Sequence, residues 1–179
     1  MPVAKAAIRH LTSMQPDRPD AVIHDGMTKR SAGIVMYRRA GDELQVLLVH
    51  PGGPFWRNKD LGAWSIPKGE YADEDPLMAA VREFAEETGA PVAGDFRPLG
   101  EVVQPGGKTV IAWAVEGNFD PAGLTSNAFD LEWPPRSGRR QSFPEIDRAG
   151  WFGLAEARRK MLVGLVPLLD RLAESLAGH

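Results

Sequence analysis

Three glutamates carry the residue types and the spacing in this chain that best suit chemistry. Glu83, Glu86 and Glu87 lie in the segment 69–90, GEYADEDPLMAAVREFAEETGA. On a helix at about 100° per residue, Glu86 falls about 60° to one side of Glu83 and Glu87 about 40° to the other, so the carboxylates share one face. Leu77, Val81, Phe84 and Thr88 gather on another side and form the expected core stripe. Ala79 and Ala80 flank the glutamates and put no bulk over them.

Such a cluster opposes the helix that carries it. Like charges at i,i+3 and i,i+4 each cost roughly 0.2–0.5 kcal/mol. The cluster also occupies the last two turns, where the helix dipole favours Lys or Arg. No Lys or Arg occurs between Arg82 and Arg97, so Arg82 is the local counter-charge, through an i,i+4 pair with Glu86. One reading is a solvated acidic face. The other is a site for a cation from outside, and oxygen ligands select Mg2+ or Mn2+ over softer metals.

The elements that must position these groups can be read around them. Residues 31–39 (SAGIVMYRR) and 44–50 (LQVLLVH) are β-rich runs, joined by the turn residues Ala40, Gly41 and Asp42. A polar and aromatic loop follows at 51–62, then a short strand at 64–66. The pattern predicts a helix over 76–88, with Asp73 or Asp75 at its start, Pro76 at its first position and Gly89 closing it. Strands are expected at 99–103 and 109–116 around the turn PGGK, then a long loop over 117–145 and a short strand at 149–152. Two helices, 154–160 and 162–176, complete the reading. Strands mixed with a few helices suggest an α/β or α+β sandwich.

Composition narrows the function. The 179 residues suit one domain and contain no cysteine, which excludes thiol chemistry, disulfides and Cys-bound zinc. A net charge of −3 without a basic patch gives no support to nucleic-acid binding. No apolar run approaches membrane-spanning length, and residues 1–20 lack the apolar core of a secretory signal. The expected location is cytoplasmic. The expected organisation is an extension at 1–28 before a domain at 29–179, with a homodimer possible through the C-terminal helix. His10, His24, His50 and His179 show no ligand spacing, and PGGP and PGGK lack the Lys-Ser/Thr pair of a phosphate-binding P-loop.

Gly69, Glu74, Arg82, Glu83, Phe84, Glu86, Glu87 and Gly89 together resemble the Nudix box, a Gly and a Glu followed by Arg-Glu-apolar-x-Glu-Glu-x-Gly. Seven residues separate Glu74 from Arg82, as in that pattern. The chain departs once: four residues, not the family's five, separate Gly69 from Glu74. Choosing Asp75 restores that interval but shortens the next, so Glu74 is the better match. The departure falls on the loop and leaves 82–89 intact.

The resemblance implies a Nudix-like α/β/α sandwich with a mixed central sheet. It implies Mg2+- or Mn2+-dependent hydrolysis of a diphosphate linkage in a small nucleotide, of the nucleoside triphosphate or dinucleoside polyphosphate class. Glu83, Glu86 and Glu87 would be the metal ligands. One of them, or a carboxylate outside the box, would be the general base. Arg82 would orient a glutamate, Glu74 would support the loop–helix structure through Arg82, and Gly69 would let the backbone pass close to the metal or simply make a turn. Glu145 is the candidate further ligand or base, with Asp147 and Glu132 behind it. Lys68 could face the phosphates. Phe55, Trp56 and Trp133 could stack on a nucleobase, or pack in the core or an interface. Arg136, Arg139 and Arg140 could meet a polyphosphate tail or stand in solvent. The competing readings are a Nudix-fold module that senses a nucleotide without cleaving it, and an acidic helix that takes Ca2+ adventitiously. Retention of all three box glutamates favours the enzyme.

Overall fold

A computed structural model describes residues 29–178. The extension expected at 1–28 lies outside the described residues. Among the described residues eight strands are found: β1 (Arg30–Ala40), β2 (Glu43–Pro51), β3 (Lys68–Glu70), β4 (Arg97–Val103), β5 (Thr109–Glu116), β6 (Ala128–Glu132), β7 (Arg140–Pro144) and β8 (Ile146–Gly153). The helices are α1 (Pro76–Thr88), α2 (Leu154–Lys160) and α3 (Pro167–Ala177).

The main sheet runs β4-β5-β1-β2-β8, with β3 also paired to β1. It is mixed: β1 and β5 are parallel, while the other pairs are antiparallel. Alternation along β1 builds both sides of the molecule. Ala32, Ile34 and Met36 point into a core shared with Ala79, Ala80 and Phe84 of α1. Val35 and Tyr37 point into a second core with Leu165, Leu168, Leu169 and Leu172 around α3. The result is an α+β sandwich with helices on both faces of a mixed sheet. Among the described residues no helix is long and apolar enough to cross a membrane.

Three local expectations need correction. Residues 64–66 form only isolated bridges, Trp64 with Met161 and Ser65 with Val49. The strand that leads to the glutamate helix is β3, where Ala32 faces Gly69 and Gly33 faces Lys68. The loop expected at 117–145 contains the β6–β7 hairpin, a two-stranded sheet of its own. The helix expected at 162–176 is divided: a 3-10 turn spans Val163–Leu165, and α3 begins at Pro167. Proline lacks the N–H that would extend a helix upstream but suits the first turn of a new one.

Candidate functional site

The site is assembled from α1, β3 and the β7–β8 junction. Asp75 caps α1 by accepting a hydrogen bond from the Met78 backbone N–H at 3.1 Å, and Pro76 takes the first position. Gly89 ends it at φ 80°, a left-handed conformation, and its N–H donates to the Ala85 carbonyl at 2.8 Å. The buried stripe of α1 is Ala79, Ala80, Glu83, Phe84, Glu87 and Thr88. This moves the core face from its expected place: Leu77 and Val81 are half-buried, while two of the glutamates turn inward. Small Ala79 and Ala80 let the helix approach β1 closely enough to take Glu83 and Glu87 with it.

At Gly69 the approach is closest. A Cβ on that residue would stand 2.0 to 2.3 Å from the Glu83 carboxyl atoms, so the carboxylate occupies the space a side chain would need. The neighbouring Lys68 N–H donates to Glu87 Oε2 at 3.2 Å. Lys68 is itself buried, and its side chain feels Glu87, Glu83 and Glu70. The Arg82 guanidinium gathers the outer carboxylates. It donates to Glu83 Oε1 at 2.9 Å and Glu86 Oε1 at 3.2 Å, and it is ion-paired with Glu74.

Glu145 enters from the β7–β8 junction. Its N–H donates to the Asn127 carbonyl and its carbonyl accepts from the Gly52 N–H, both at 2.8 Å. Those bonds fix the backbone while the carboxyl Oε1 stays buried without a hydrogen-bond partner among the described residues. The other two acids placed behind it in the sequence reading go elsewhere. Asp147 Oδ1 lies 2.8 Å from His50 Nδ1, and Glu132 accepts from the Gly138 N–H at 3.1 Å.

Burial dominates the electrostatics. It pushes the Glu83 carboxyl up to about 7, with the Glu86 charge adding to the effect. It lifts Glu145 to about 7, with Glu83 and Glu86 contributing. It raises Glu87 well above the usual carboxylate range despite the opposing Lys68 charge, and lowers Lys68 to about 8. The Glu74 hydrogen bond moves Arg82 further into its charged form. A carboxylate cluster shifted this way is an expensive arrangement to keep ionised without cations.

The donor chemistry fits a hard divalent cation: oxygen donors only, one of them buried and without a hydrogen-bond partner among the described residues. Among the described residues no three acidic or histidine side chains close on one point as a finished cage. Arg82 draws Glu83 and Glu86 to itself, and Lys68 lies against Glu87.

Other residues separate. Trp56 is only 5% exposed and packs in the second core, the packing reading of that residue; the Lys59 ammonium lies 5.1 Å from its ring centroid. Phe55 instead meets Trp133 edge-to-face, with centroids 5.4 Å apart. Sequence reasoning missed His50, which is fully buried and has Nε2 2.6 Å from the Lys59 carbonyl. It ties the 51–62 loop to β2 and β8. No spacing signal marks it, because its partners are brought to it only by the folded sheet.

Comparison with known proteins gives the same frame. A family model described as the NUDIX domain matches residues 27–172. Among solved structures, a C. elegans Ap4A hydrolase binary complex is similar at TM-score 0.58 and 22% identity, covering 83% of this chain and 99% of that one. The NUDIX domain of Shewanella oneidensis NrtR complexed with ADP ribose is similar at TM-score 0.59 and 17% identity, covering 94% and 97%. The MutT protein from Methanosarcina mazei Go1 is similar at TM-score 0.55 and 19% identity, covering 83% and 95%.

Proposed function

Because the chain belongs to the Nudix family, we propose that it hydrolyses a diphosphate linkage in a nucleoside diphosphate joined to a further group, using the carboxylates of α1 and Glu145. Family membership supports pyrophosphohydrolase-type activity in general. The narrower class, nucleoside triphosphates or dinucleoside polyphosphates, is consistent with a structural relative described as an Ap4A hydrolase. The observation that carries the reading is the joint burial of Glu83, Glu87 and Glu145, each with its carboxyl raised.

In this reading Glu83, Glu86 and Glu87 would hold Mg2+ or Mn2+. Bound there, the cation supplies neutralisation of the phosphate charge and an activated water. The chain's own groups do the rest. Arg82 fixes Glu83 and Glu86 in orientation, and its pair with Glu74 ties the loop before α1 to the helix. Gly69 leaves the space that the Glu83 carboxyl fills. Glu145, at about 7, is suited to accept a proton at its unpartnered Oε1 near neutral pH. The buried Lys68 ammonium lies among the carboxylates and balances part of their charge.

The test is a panel of nucleoside triphosphates, dinucleoside polyphosphates, ADP-ribose and nucleotide sugars, incubated with Mg2+ and separated by chromatography. The expected result is cleavage of at least one into two phosphorylated products, lost in EDTA and restored by Mg2+ or Mn2+. Full activity in excess chelator contradicts the metal assignment. Tight nucleotide binding with no product from the metal-loaded protein favours a sensor instead.

A further inference from the structure

The β6–β7 hairpin takes no part in the proposed chemistry, yet it is built directly onto Glu145. Its base is fixed there by the Glu145 N–H bond to Asn127 and by the Ile146 N–H, which donates to Ser126 Oγ at 2.9 Å. Phe129 lies over Gly53, close enough that a Cβ on that glycine would meet its ring at 2.9 Å. Beyond its base the hairpin meets the body through the Phe55–Trp133 pair, in which Phe55 belongs to the loop leaving Gly52.

Register decides which side chains share that face. Glu132 pairs with Arg140, and the Trp133 N–H donates to the Arg139 carbonyl at 2.9 Å, so Trp133 and Arg139 stand opposite each other. Phe129, Leu131 and Trp133 lie on one side of the ribbon, with Arg139 and Gln141 across from the last two. Trp133 is half-buried and Phe55 is 42% exposed, so both rings keep open surface. Arg136, Arg139 and Arg140 are exposed, and none of their guanidiniums has an ion-pair partner among the described residues. Six steps of extended chain lead from Arg139 to Glu145, a reach of roughly 20 Å.

We propose that the Phe55–Trp133 pair and Arg139 form a subsite for the base-bearing end of the substrate: a nucleobase on the Trp133 ring with its nearest phosphate on the Arg139 guanidinium. The inference rests on the hydrolase reading above and deepens it, because it names the part of the substrate that the hairpin holds. The chemistry is that of an aromatic anion. An indole with open surface stacks any base, and a forked guanidinium without an ion-pair partner among the described residues takes phosphate oxygens. The placement of the hairpin on Glu145 puts the subsite at the end of a phosphate chain whose other end reaches the carboxylates. A substrate bound this way carries its base well away from the scissile linkage, as a dinucleoside polyphosphate does.

Two measurements on the full chain separate this proposal from the hydrolase reading. The first is calorimetric titration with adenosine 5′-monophosphate and with ribose 5-phosphate, neither of which has a diphosphate to cleave. Wild-type protein should bind the nucleotide more tightly. Trp133→Ala and Arg139→Gln should each weaken it by about tenfold, the scale of one lost stacking or charged contact, and Trp133→Phe should recover most of the affinity. Arg139→Gln guards against a folding artefact, since that side chain is exposed. The second is steady-state kinetics on diadenosine tetraphosphate, where the loss should fall on KM more than on kcat. Weakened nucleotide binding in the variants of a protein that cleaves nothing would keep the subsite and remove the hydrolase. Unchanged nucleotide affinity across the variants, or equal binding of ribose 5-phosphate by the wild type, overturns the subsite and leaves the hydrolase standing.

Discussion

At the residue scale, the organising fact is that Glu83 and Glu145 are carboxyls kept out of water. Both are pushed to about 7 from an ordinary value of 4.5. A group raised on folding adds stability in its protonated form. That contribution is full below about 4.5 and is lost as the pH rises through about 7. The metal-free protein should therefore lose melting temperature across that window. Metal binds the ionised form, so the increment conferred by Mg2+ should grow across the same window. A melting temperature that stays flat with pH, with a constant Mg2+ increment, would show that these carboxyls are not held as the structure has them.

What could be read of these residues in advance depended on the range of the interaction. The carboxylate cluster was legible because its members lie within one helix turn of each other, and periodicity brings them together without any tertiary information. The Arg82–Glu86 pair has the same origin. The burial of Lys68 was not legible, because a lone lysine in a loop carries no sign of the strand pairing that encloses it. Trp56 and Phe55 adjoin in sequence with similar chemistry, yet one enters the core and the other reaches Trp133. Only the turn that starts at Gly53 distinguishes them.

At the scale of elements, the contact between β3 and α1 positions the chemistry. The helix limits were legible from Pro76 and Gly89, each of which has a local physical reason to sit at an end. The inward face was misjudged because bulk was taken as the sign of burial. Alanine at 79 and 80 instead permits the close approach that buries acids. The three-residue β3 was too short for any periodic pattern, and β6 and β7 were hidden by the Pro- and Gly-rich turn between them. The contact itself can be tested at Gly69, where an added methyl would stand 2.0 to 2.3 Å from the Glu83 carboxyl. Gly69→Ala should fold, because the atoms in the way are the far end of the flexible Glu83 side chain, but must displace Glu83. Displacement of a reacting group by about 1 Å costs on the order of a hundredfold. The expected outcome is turnover reduced by one to two orders of magnitude, together with a smaller Mg2+ increment in melting temperature. Wild-type turnover in that variant would mean that the β3–α1 contact does not position the site.

At the scale of the whole molecule, one sheet serves two purposes. Its α3 face is an ordinary apolar core of Leu, Val and Trp side chains. Its α1 face mixes apolar packing with the buried acids, so the two cores differ in how much polar cost they carry. A mixed sandwich was legible in outline from the order of strands and helices. The parallel pairing of β1 with β5 was not, because register between strands 79 positions apart in their pairing is set by the helices that cover them. This division places the cost of the acidic cluster on α1 and β3 and leaves the α3 core to hold the fold.

The most direct test of the account is one comparison, wild type against Glu87→Gln, with melting temperature measured with and without Mg2+ and turnover measured on whichever nucleotide the screen identifies. Gln keeps the size of Glu87 and removes a charge that burial disfavours. The account predicts a metal-free variant at least as stable as wild type, a Mg2+ increment that shrinks according to RT ln(1 + [L]/Kd), and turnover lower by orders of magnitude. A variant with near-wild-type turnover and the same Mg2+ increment would contradict it.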